Sequence, residues 1–240
     1  MTFQDALLEL HHGLQAAAGV GRTLLPPKAD DSHTNFSWSQ KHGALVQDCV
    51  DGQFRAGLRM RDLALLLIDK DDGVTGEFCL RGKKLDDGFR FYEERVGKMI
   101  ARPGEPLPAH PVANGACFSA MDEFLCTVAE LYGDAAAVLE HLRAKHPAAS
   151  PVRLWPHHFD IATLIPLLGD RSIGVGFLGG DANIPEPYWY VYVTPSSEKA
   201  LPPLSVGRWY ADAWNGAVLT GKNDAATTGK FLDEAIAALT

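Results

Sequence analysis

Period-two alternation recurs through the first third of the chain, and it limits the fold more than any other feature. In 33–39, Thr34, Phe36 and Trp38 alternate with His33, Asn35, Ser37 and Ser39. In 54–60, Phe54, Ala56, Leu58 and Met60 alternate with Arg55, Gly57 and Arg59, and in 74–81, Val74, Gly76, Phe78 and Leu80 alternate with Thr75, Glu77, Cys79 and Arg81. Side chains on a strand point alternately to opposite faces, so each segment predicts one buried and one wetter sheet face. Residues 63–68 (LALLLI) are apolar on both faces and predict a central strand. Short breaks at Lys41-His42-Gly43, Asp51-Gly52 and Asp69 to Gly73 separate these runs, which makes an antiparallel meander the natural topology.

Helical spacing flanks the strands. Phe3, Leu7, Leu10 and Leu14 predict an amphipathic helix over 2–18, opened by a Thr2–Asp5 capping box. Leu85, Phe89, Tyr92, Val96 and Met99 predict a second helix over 85–100. Helices are expected at about 117–132 and 134–146, broken at Gly133 with Asp134 as N-cap, and at 225–239 behind Asp224. Between them, 102–115 carries four prolines and two glycines and reads as a linker joining two β blocks. The second block runs from Pro151 to about Val193, and a polar, proline-rich loop then leads to a short apolar segment at 216–220. The fold class is α+β, largely antiparallel sheet with packed helices, and at 240 residues the short linker favours one domain over 1–240.

A net charge of −8 argues against nucleic-acid and membrane-surface partners, which need a positive field. The N-terminus lacks a cationic start and an apolar run, and no stretch approaches the length of a membrane span, so a soluble, cytoplasmic chain is expected. The four cysteines (49, 79, 117, 126) show no zinc or redox spacing and are expected as buried free thiols.

Chemistry concentrates in 151–193. Read as a strand, 154–162 places Trp155, His157, Phe159 and Ile161 on one face and His158, Asp160 and Ala162 on the other, with His157 in the core. His158 and Asp160 would lie roughly 6–7 Å apart along the strand, a spacing at which two groups reach a common ligand or metal. They are also the usual acid–base pair. His33, Asp181 and Glu186 are candidates for a third group. In the hairpin 172–193, Gly174 and Gly176 oppose Tyr188, Tyr190 and Tyr192. The rings can cover the strand glycines, or the glycines can open a trough lined by phenols. Gly179-Gly180-Asp181 lacks the spacing and lysine of a phosphate loop.

The motifs W-P-H-H-F-D and G-F-L-G-G-D…P-E-P-Y-W-Y-V-Y resemble those of an uncharacterised bacterial family, a domain of unknown function. The likeness spans most of the chain. It implies that Phe159-Asp160, Glu186, Pro187, Tyr190 and Tyr192 matter more than His158, and it implies no reaction.

The expectation is therefore a small-molecule-binding protein or enzyme using a His/Asp/Tyr-lined sheet face. Asp160, His158 and Glu186 are its candidate catalytic residues, and Tyr188, Tyr190, Tyr192 and His33 its candidate ligand-binding residues. The sequence names no cofactor and leaves metal binding open. The alternative is a non-catalytic interaction module, with homo-oligomers formed through the tyrosine face.

Overall fold

A computed structural model describes residues 2–196 and 201–240, so part of the proline-rich loop after Val193 (197–200) lies outside the described residues. The fold is α+β, with four α-helices and antiparallel sheet among the described residues. The chain divides into two compact units. One holds the chain up to Gly133 plus Leu154–Phe159; the other holds Asp134–Arg153 and Asp160–Thr240. The proline-rich stretch 102–115 lies inside the first unit, and the division falls at Gly133 instead.

The first unit opens with α1 (Phe3–Leu24). Its capping box is formed: Thr2 Oγ1 accepts from the Asp5 amide, and the Thr2 amide donates to Asp5 Oδ2 at 2.7 Å. The helix stops at Leu25, where the following Pro26 disfavours helical backbone. It runs six residues past 18, where its apolar stripe predicts an end. From Glu9 to Gly21 it is buried on every side, not on one face. Its polar residues must then find partners, and Glu9 accepts from the Ser119 and Ala120 amides and the Ser119 hydroxyl.

Beneath α1 lie β1 (Phe36–Ser39), β2 (Ala44–Gln47), β3 (Phe54–Arg59), β4 (Ala64–Asp69) and β5 (Val74–Cys79), a meander in which each strand pairs antiparallel with the next. Leu154 of β6 (Arg153–Trp155) joins the free side of β1 opposite Phe36. Sequence periodicity misses β2, because its four residues are all buried and do not alternate. The strand expected over 33–39 begins only at Phe36: Ser32–Thr34 form a 3₁₀ turn that takes His33 off the sheet. Helix α2 (Leu85–Val96) packs against α1 and ends at Gly97, whose φ of 68° caps it. Met99 falls beyond that cap and is exposed, not on the buried stripe.

Helix α3 (Asp122–Lys145) is continuous, so neither the break at Gly133 nor an Asp134 cap forms. Glycine has a packing role there: a Cβ at 133 would sit 3.0 Å from the Trp38 indole. The cysteines are all exposed, contrary to expectation. Cys79 is on the outer face of edge strand β5, Cys126 is off the buried stripe of α3, and Cys49 and Cys117 sit in loops.

The second unit is ordered β10 (Arg208–Tyr210), β11 (Gly216–Thr220), β9 (Tyr188–Thr194), β8 (Ser172–Leu178), β7 (Asp160–Pro166), with α4 (Ala225–Leu239) packed on β8, β9 and β11. Asp224 caps α4 by accepting from the Thr227 amide at 2.7 Å. Asp224→Ala should lower stability by removing that cap. Equal denaturation midpoints for the variant and the parent would refute that role. Among the described residues, no helix is long and apolar enough to cross a membrane.

Candidate functional site

Residues 156–159 are a turn, not the middle of a strand. Pro156 has no amide hydrogen to donate to a ladder, and Phe159 adopts a left-handed φ of 60°. The turn is held by the Phe159 amide donating to Trp155 O at 2.7 Å and by Tyr132 Oη donating to Phe159 O at 2.6 Å. The Phe159 ring is buried against His11 and Tyr132, each 5.2 Å away between centroids. His157 and His158 consequently do not occupy opposite sheet faces. Both are exposed, with ring centroids 4.2 Å apart, and His157 is not in the core. Trp155 is only half-buried.

These two imidazoles line a cleft of about 870 Å3 within the first unit, together with His33 and the segment 103–108. That volume is in the range of small-molecule sites. Helix α1 builds it. His11 and Gln15, one turn apart, both donate to Pro156 O, at 2.9 and 2.7 Å. His12 donates from Nε2 to Pro108 O at 2.9 Å. Carbonyls only accept, so both imidazoles carry their proton on Nε2. One helix thus holds two residues of the cleft lining, Pro156 and Pro108. Gln15 turns its oxygen to Arg22, whose Nη2 donates at 2.7 Å. The other end of that guanidinium, Nη1, is buried and has no hydrogen-bond partner among the described residues. His33 Nδ1 accepts from the Lys28 amide at 3.3 Å, which leaves its proton on Nε2.

The electrostatics of the cleft follow from burial. Desolvation lowers the His11 pKa to about 4, only partly offset by the bond to Pro156, and it lowers His12 as well. His157 is lowered by desolvation and by His158, against the opposing pull of Glu105 and Asp31. The cleft therefore presents His157 as a neutral imidazole at pH 7. Among the described residues no three His, Cys, Asp or Glu side chains come together as a metal-holding group.

The tyrosine face belongs to the second unit. In the hairpin, Gly174 pairs with Tyr192 and Gly176 with Tyr190, the register expected from the alternation. The rings lie over the glycines: a Cβ at Gly174 would be 2.4 Å from the Tyr192 ring. Tyr190 Oη donates to Asp160 Oδ2 at the start of β7. Tyr188 Oη donates to Asp181 Oδ2 at 2.8 Å, while Asp181 Oδ1 accepts the Asn183 and Ile184 amides and so closes the loop. Burial, followed by these carboxylates, raises the pKa of Tyr188 and Tyr190 well above the ordinary phenol value, and the same causes raise Tyr192. All three are neutral donors near pH 7, not bases. Glu186 is exposed in the loop between β8 and β9.

The structure thus brings His33 and His158 together in one unit, and Asp160, Tyr188, Tyr190 and Tyr192 together in the other. Periodicity passed over Arg22, Gln15 and Glu105. For Gln15 and Arg22 the signal was polar side chains set into an apolar helix at 11, 12, 15 and 22; Glu105, in the proline-rich stretch, left none. No family model, curated protein or solved structure matches the chain.

Proposed function

We propose that the protein binds a small molecule in the first-unit cleft, with His33, His157 and His158 on its wall and Arg22 toward its floor. The observation that carries this reading is that buried polar side chains of α1 hold two residues of the cleft lining, Pro156 and Pro108. Burying His11, His12 and Gln15 costs desolvation that apolar residues would avoid. Their hydrogen bonds go to the carbonyls of two residues that line the cleft. The tyrosine face is less suited to the role, because its rings fill the space above the glycines and two of its phenols are bound to carboxylates.

A thermal-shift screen of metabolite-sized compounds against the whole chain tests this. His158→Trp, which places a large side chain at the exposed wall, should abolish the shift given by authentic ligands; Tyr192→Phe should leave it. Hits that survive His158→Trp and vanish in Tyr192→Phe would move the site to the second unit and end the proposal.

A further inference from the structure

The cleft is graded in charge from floor to mouth. Gln15 is fully buried, His33 nearly so and Arg22 partly so, whereas Asp31, Glu105, His157 and His158 are exposed. The floor therefore offers a guanidinium, and the mouth offers two carboxylates and two imidazoles. We propose that the cleft takes a small zwitterion of the amino-acid class, entering with its carboxylate toward Arg22 and leaving its ammonium between Asp31 and Glu105. This rests on the cleft being the binding site.

Arg22 is the first support. Its Nη2 is held by Gln15, which fixes the plane of the fork, while its buried Nη1 lacks an acceptor. An unmet donor on a buried cation is costly, and a carboxylate is the acceptor whose paired oxygens match a guanidinium. Desolvation also pulls the Arg22 pKa down, with Asp31 opposing, so an anion at this place relieves a real penalty. His157 is the second support. It feels the charges of Glu105, Asp31 and Arg22, and all four residues line the cleft, so groups of both signs share one cavity. A neutral imidazole there can accept from an ammonium N–H.

A simple anion fits this arrangement poorly, since it must pass two carboxylates to reach one guanidinium. A simple amine leaves Arg22 unmet. Only a molecule bearing both charges satisfies both ends.

Calorimetric titration of the whole chain at pH 7 with four-carbon probes separates these cases: 4-aminobutyrate and 2-aminobutyrate as zwitterions, butyrate, butylammonium, and neutral butyramide. At least one amino acid should bind roughly tenfold or more tightly than butyrate or butylammonium, the size of one charged hydrogen-bonded contact. Arg22→Gln should remove that advantage. Glu105→Gln, an exposed change with no folding risk, should weaken the amino acid several-fold and leave butyrate unweakened. Butyrate or butylammonium matching the best amino acid overturns the inference, as does failure of both amino acids to bind. Butyramide binding in a His158→Trp-sensitive way, with no charged probe bound, overturns it while leaving the cleft as the site. A loss in Arg22→Gln without the Glu105→Gln effect also counts against it.

Discussion

Gly176→Ala is expected to destabilise the second unit by about 3 kcal/mol, the upper end of the range for overpacking. A Cβ at 176 would lie 2.3 Å from Tyr190 Oη and 2.8 Å from the Ile161 carbonyl. The phenol could swing aside, but only by giving up its bond to Asp160, and hydrogen bonds to charged groups are the stronger kind. The carbonyl cannot yield so easily, because Ile161 faces Phe177 in the ladder between β7 and β8. Gly174→Ala is the internal control. There the three atoms nearest the added methyl all belong to the part-exposed Tyr192 side chain, the first at 2.4 Å, and that ring can move outward. Its expected cost is about 1 kcal/mol. Denaturant titrations of the two variants against the parent provide the comparison. Equal costs would mean that the Ile161 carbonyl and the Tyr190–Asp160 bond do not hold this position rigid.

This hairpin was legible from sequence because its alternation is uninterrupted on both strands. With apolar residues inward on both, Gly174 and Gly176 have no partners across the register except tyrosines. The caps of α1 and α4 were legible for a similar reason, since each depends on residues three apart. The candidate site was not legible in the same way. Alternation from Leu154 to Ala162 continues straight through Pro156, and nothing local announces that Phe159 will turn left-handed to bury its ring against Tyr132 and His11. That single turn takes His157 and His158 off the sheet and separates them from Asp160 in their surroundings. The cleft is assembled from Gln15, Arg22, the proline-rich segment and Pro156. Contacts across 96 and 141 residues leave no spacing to read. The one local clue was chemical: His11, Gln15 and Arg22 recur at helical intervals, a polar line within a helix whose neighbours are Leu, Ala and Gly.

Acid should loosen the first unit well before its carboxylates titrate. His11 has an ordinary pKa of 6.5 and a folded value of about 4, lowered chiefly by desolvation. Between those values the unfolded chain takes up a proton that the folded chain refuses, so stability rises with pH across the window. The contribution is complete above pH 6.5, declines as the pH falls, and is gone near pH 4. The span amounts to about 3 kcal/mol, from the free-energy equivalent of each pKa unit. His12 and His157 are shifted the same way and add to the slope. His11→Gln isolates the cause, because glutamine can still donate to Pro156 O but cannot take up the proton. Denaturation midpoints measured from pH 7 to pH 4 should fall steeply for the parent and distinctly less for His11→Gln. Parallel slopes would show that protonation elsewhere drives the acid response. The loss should also be felt at the cleft before global unfolding, because a protonated His11 must leave its place against Phe159 to be solvated, and His11 holds the carbonyl that immediately precedes His157. Ligand affinity should therefore decline through the same window in the parent and hold to lower pH in His11→Gln.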